Sequence, residues 1–141
     1  MKKDLLFVIT LLFTTTITIQ AQEWVTDLNY ADKVTGSSAF DDDLHEIIVV
    51  EFWAKFNEQN AFPDWKKLDD IEGVTYYRCD IATSPNLKKE LRIRMAPTLL
   101  IYTKGEAFIK FKAKAGLDLL CPVDYPKMIR AIEVVRRESQ Y

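Results

Sequence analysis

The run Ile47-Ile-Val-Val-Glu-Phe52 constrains this chain more than any other stretch. It is apolar and β-branched, broken only by Glu51, and such a run without alternation predicts a strand buried on both faces in the middle of a sheet. The composition turns polar directly afterwards, through Asn57-Glu58-Gln59-Asn60. The carboxyl end of a central strand is where α/β proteins place their sites. With 141 residues, 48% apolar and 28% charged, the chain suffices for one domain with its own core and is too apolar for disorder. A formal net charge of −2 gives no reason to expect nucleic acid or an anionic membrane as partner.

The first twenty-one residues predict a secretory signal peptide: Lys2-Lys3, an apolar core from Leu5 to Phe13, and Ala21 at the small position of a cleavage site. The alternative is an uncleaved anchor, for which the stretch is short and threonine-rich against the roughly 20 residues of a span. No cysteine lies nearby to carry a lipid. Residues 22–29 are read as an extension and 30–141 as the domain.

Along the domain, Tyr30 to Val34 is expected to form a short first strand. Ser38 to His45 is expected to form a helix with Phe40 and Leu44 inward and three aspartates near its positive end. His45, the only histidine, has no partner at metal-ligand spacing, and Asp41-Asp42-Asp43 lacks a calcium-loop pattern, so no metal is implied. Phe62 to Ile71 predicts a helix with Pro63 in its first turn. Val74 to Ile81 predicts a strand, Asn86 to Leu91 a helix opened by Ser84-Pro85, and Leu99 to Tyr102 another strand. Thr103-Lys104-Gly105-Glu106 is hairpin chemistry leading into Ala107 to Lys112. Residues 112–123 carry no clear period. Asp124-Tyr125-Pro126 caps a closing helix whose inner face is Met128, Ile129, Ile132 and Val135.

Strand, then Phe52-Trp53-Ala54-Lys55-Phe56, then Met95-Ala96-Pro97-Thr98-Leu99 resembles the thioredoxin family. That family places Phe-Trp-Ala-x-Trp-Cys-x-x-Cys after the central strand and a cis proline before the fourth. The resemblance covers roughly residues 30 to 137. It implies a thioredoxin-like α/β fold, a central mixed sheet with helices on both faces, and a cis bond at Ala96-Pro97. It also implies that the active-site positions are Asn57, Glu58, Gln59 and Asn60. The stretch from Trp53 to Pro63 is two residues shorter than in the family, yet no register puts a cysteine there.

Thioredoxin chemistry needs a thiolate at a helix amino end and a second thiol to resolve the mixed disulfide. An amide does neither, so the resemblance implies a domain without dithiol catalysis and without cofactor, in which asparagine persists as a helix cap. Glu51 and Arg78 fall where the family keeps a buried acid and a neighbouring lysine, either as a remnant proton relay or as a buried ion pair. Cys79, mid-strand, reads as a buried apolar residue, and Cys121, before Pro122, as the exposed thiol. In the family's sheet order they lie three strand positions apart, about 14 Å, whereas a disulfide wants about 4.4–6.8 Å between Cα atoms. Only a fold-back of residues 112–123 would pair them.

What remains is a surface. Phe56, Asn57 to Asn60 and the Ala96-Pro97 bend should adjoin, and in the family the backbone beside that proline pairs with extended peptides. The expectation is an exported domain, placed in the bacterial periplasm, that binds a protein or peptide partner there. The alternatives are a divergent thiol-disulfide oxidoreductase using Cys121 or Cys79, and a structural subunit of an envelope assembly.

Overall fold

The structure, a computed structural model, describes residues 21–36, 47–113 and 119–140. The expected signal peptide, the helix over 38–45 with His45, and the aspartate run lie outside the described residues.

Among the described residues, five strands form one mixed sheet: β1 (Glu23–Trp24), β2 (Ile47–Trp53), β3 (Val74–Asp80), β4 (Thr98–Thr103) and β5 (Glu106–Lys112), in the spatial order β1-β3-β2-β4-β5. β1 and β2 run parallel to β3, while β4 pairs antiparallel with β2 and β5 with β4. β2 is therefore central, and Ile47 to Phe52 is buried throughout, as its unbroken apolar run requires. Among the described residues, three α-helices cover the sheet: α1 (Trp65–Asp69), α2 (Pro85–Glu90) and α3 (Tyr125–Glu138).

Alternation along the strands makes two cores. Ile47, Val49, Tyr76, Leu99 and Ile101 pack with Leu68 of α1 and Met128, Ile132 and Val135 of α3. Ile48, Val50, Phe52, Leu100 and Tyr102 pack on the other face with Leu87 of α2, Tyr30 and Val34. α3 starts as expected, with the Asp124 carboxylate accepting from the Lys127 N–H at 2.8 Å.

Residues 30–34 are not a strand. Tyr30 enters a π-helical turn at Ala31–Thr35, which buries Tyr30 and Val34 on one side. The first strand is instead Glu23–Trp24, in register with Tyr77 and Arg78. The segment read as an extension thus joins the sheet and buries Val25, and its Asp27 carboxylate accepts from the N–H groups of Asn86 and Leu87 at 3.1 and 2.9 Å. α2 opens at Ser84-Pro85 as expected, with the capping side chain supplied by Asp27.

α2 ends in a left-handed residue. The Ile93 N–H donates to Lys88 O and the Arg92 N–H to Lys89 O, the two bonds of a Schellman motif, with Arg92 at φ 53°. Glycine is the usual occupant, and an arginine there costs about 1–2 kcal/mol. At the β4–β5 hairpin Lys104 and Gly105 both have positive φ, as a two-residue turn requires. A Cβ on Gly105 would lie 2.5 Å from Thr35 O. Gly105→Ala is therefore expected to cost about 1–3 kcal/mol, read as a lowered urea midpoint with unchanged slope; an unchanged midpoint would show that the turn and the Thr35 backbone part freely.

Candidate functional site

Beyond Trp53 the chain does not enter a long helix. Lys55–Asn60 forms a 3-10 stretch interrupted at Asn57, whose φ and ψ are −127° and 29°. α1 begins only at Trp65, so the expected helix over 62–71 is shortened to five residues, with Pro63 in the turn before it. Asn57 does not cap a helix. A sulfur at that place would lack the helix dipole and orphan amides that depress a thiol pKa.

Asn57 has another task. Its side chain is buried, and its amide NH2 donates to Ala96 O and to Leu119 O, both at 2.9 Å. Its oxygen accepts from the Asn60 amide at 2.7 Å. One side chain thereby ties together the loop after β2, the bend before β4 and the segment before α3. The Ala96-Pro97 bond is cis. The loops do adjoin, but Ala96 and Pro97 are buried and Ala96 O is already engaged. The Ala96 carbonyl, where the resemblance expects a partner strand, meets this chain's own Asn57.

The residues around this tie divide sharply. Phe56 is 70% exposed, Gln59 is exposed, and exposed Glu58 pairs with Lys55 at 2.7 Å. Trp24, 41% exposed, meets Trp53 edge-on with ring centroids 5.3 Å apart. Leu120, 63% exposed, follows the residue that Asn57 holds. The carboxyl end of the parallel strands thus carries Trp24, Trp53, Phe56 and Leu120 on one end of the sheet. Trp24 and Leu120 were not anticipated. Nothing local marks Leu120, and β1 has no strand signature of its own.

Beneath the site, Glu51 is fully buried. It accepts from Arg78 at 3.3 Å, from the Phe62 N–H at 3.1 Å and from the Tyr76 hydroxyl. Arg78 and Glu51 are opposite one another in the β2–β3 register, as the expected ion pair requires. Burial raises the Glu51 pKa above the ordinary carboxylate value, against the opposing effects of Arg78, Tyr76 and Phe62.

Both cysteines are free thiols. Cys79 packs in the core on the α2 face, whereas Cys121 packs against the core of the α1/α3 face, so the sheet separates them. Burial pushes the Cys79 thiol up. Cys121 is half-buried rather than exposed, donates to Val123 O at 3.3 Å, and is pushed up to about 11, chiefly by burial with the Glu51 charge adding to it. Reactive thiols have depressed pKa values. Among the described residues no group of His, Cys, Asp or Glu could hold a metal ion, and no helix is long and apolar enough to cross a membrane.

The sequence profile of the thioredoxin family matches residues 31–121, more than half of the chain. The chain belongs to the thioredoxin family. Solved thioredoxins share its fold at low identity. A thioredoxin from Halobacterium salinarum superposes with a TM-score of 0.62 at 17% identity, covering 82% of this chain and 90% of that one. Spinach chloroplast thioredoxin f gives 0.61 at 19%, covering 81% and 85%. The thioredoxin of Malassezia sympodialis, described as a member of a pan-allergen family, gives 0.58 at 19%, covering 81% and 90%. A comparison with curated protein sequences finds no match. This chain has a cis proline at Pro97 and a buried acid at Glu51, and no cysteine lies between Trp53 and Pro63.

Proposed function

We propose that this thioredoxin-family domain is exported, carries out no thiol-disulfide exchange, and binds a protein partner through the end of the sheet around Phe56. The observation that carries the reading is Asn57. The family resemblance puts it at the attacking-sulfur position, and its side-chain amide is spent on two hydrogen bonds that hold the site's loops together. Exchange needs a thiolate with a resolving thiol within reach; the two cysteines have raised pKa values and lie on opposite faces of the sheet. Binding is supported by Phe56, Trp24 and Leu120, large apolar side chains left in solvent at one end of the molecule. The partner contacts these side chains and not the backbone at Ala96, which is buried. Export, from the leader-like first residues, places the partner in the periplasm or outside the cell.

Two measurements test this. With dithiothreitol as electron donor, the protein is expected to leave insulin disulfides at the uncatalysed rate. Phe56→Ala is expected to keep the melting temperature and to weaken capture of the envelope partner roughly 30-fold, as for an aromatic anchor worth about 2 kcal/mol. Catalysed reduction, or capture indifferent to Phe56, would reject the reading.

A further inference from the structure

A cleft of about 520 Å³ lies beside the cis-proline bend, between the end of α2 and β5. Arg92, Arg94, Lys110 and Lys112 line it over an aliphatic floor that includes Leu91 and Met95. A second cleft of about 400 Å³ shares Arg92 and Arg94 and adds Lys88 and Lys89. Six cations thus face two adjoining hollows on a chain whose net charge is −2. None of them has an ion pair among the described residues.

Some of these charges have ordinary explanations. Lys88 and Lys89 suit the negative end of α2, and lysines on the edge strand β5 discourage edge pairing. Arg92 has none. It stands at a left-handed position where glycine is free of strain, and a strained residue held in place points to function. Lys110 is half-buried and donates to Leu91 O at 2.9 Å. Burial, with Lys112 and Arg92 adding to it, lowers its pKa, an unfavourable state that a bound anion would relieve.

The shape selects the ligand. Lys110 and Lys112 alternate on one face of β5, about 6.8 Å apart, the repeat of every second residue in an extended chain. Two hollows joined through Arg92 and Arg94 suit an elongated ligand rather than a single small anion. The floor offers no aromatic ring on which a base could stack.

We propose that this cleft binds an extended acidic peptide, with Asp or Glu at every second position, supplied by the partner protein. This rests on the partner-binding reading and names the partner's chemistry. The test is fluorescence anisotropy of the full chain with a labelled Glu-Val repeat peptide, its Gln-Val twin and inorganic tripolyphosphate. The acidic peptide is expected to bind at least about tenfold tighter than its twin, with affinity falling as salt rises. Arg94→Gln with Lys112→Gln is expected to weaken it about tenfold, without lowering the melting temperature, because mutually repelling charges are removed. Equal binding of the twin, indifference to the double variant, or tripolyphosphate binding tightest would each overturn the proposal. Phe56→Ala separates the two readings: it should leave peptide affinity intact while partner capture falls. Capture that survives Phe56→Ala, beside peptide binding that needs Arg94 and Lys112, would sink the Phe56 face and leave the cleft standing; the reverse pair would sink the cleft alone.

Discussion

Arg78→Met is expected to lower stability by about 3–5 kcal/mol near pH 8 and by far less in acid. Arg78 supplies the counter-charge to Glu51, which has no exposure to water. Burial already raises the Glu51 pKa in the folded protein, so the native state holds the proton more tightly than the unfolded chain, whose glutamates titrate at about 4.3. Stability from that bound proton is fully present below the unfolded value and is lost as pH rises through the folded pKa. Taking away Arg78 removes the strongest effect lowering that pKa, so in the variant the loss continues to higher pH. The gap between wild type and variant therefore opens above the wild type's folded Glu51 pKa and widens until the variant's carboxyl ionises. Urea denaturation at a series of pH values reads this directly. Adding Glu51→Gln to Arg78→Met should recover most of the loss, since replacing both members of a buried pair is far cheaper than removing one. A penalty independent of pH would mean that Arg78 acts through Gln22 and Trp24, its other contacts, and not through Glu51.

That pair is legible in the amino-acid sequence only through the family resemblance, which puts an acid at Glu51 and a base at Arg78. The β-branched runs mark β2 and β3 but leave their register open, and the structure sets the two residues opposite one another. β1 is not legible: two residues have no period, and their extended form comes from pairing with Tyr77 and Arg78. Tyr30 to Val34 misleads by composition, since aromatic and branched residues favour strands. The four-residue spacing of Tyr30 and Val34 is the better guide, and both are buried from a helical turn. α1 is shorter than its apolar spacing suggests, beginning after Pro63 and Asp64 instead of running through them. The basic cleft is invisible for a different reason. Arg92 and Arg94 leave one element, Lys110 and Lys112 belong to another, and only the β4–β5 pairing brings them to a common hollow.

Asn57 exposes the same limit and carries the second large effect. Its place in the sequence implies a helix cap, a role set within a few residues; its partners are 39 and 62 positions away. Asn57→Ala leaves the buried Ala96 carbonyl and the Leu119 carbonyl without their shared donor, and is expected to cost about 2–4 kcal/mol, one to two lost buried hydrogen bonds. Asn57→Asp keeps the shape; while protonated near pH 5 its O–H serves one of the two carbonyls, so it should be milder than alanine there, and it should become worse than alanine as the carboxyl ionises toward pH 8 and sets a charge against two carbonyl oxygens. Asn57→Cys should also fail to rescue stability, because a thiol is too weak a donor to serve both carbonyls. The global loss has a local companion. Leu119 lies two residues before Cys121, so releasing it should expose that half-buried thiol. Titration with a disulfide reagent should then find Cys121 reacting faster in Asn57→Ala than in wild type, with Cys79 still slow inside the opposite core. Were Asn57→Ala to keep wild-type stability and thiol rates, the asparagine would be a passive remnant of the lost sulfur. The loops around Phe56 would then need some other tie to hold them.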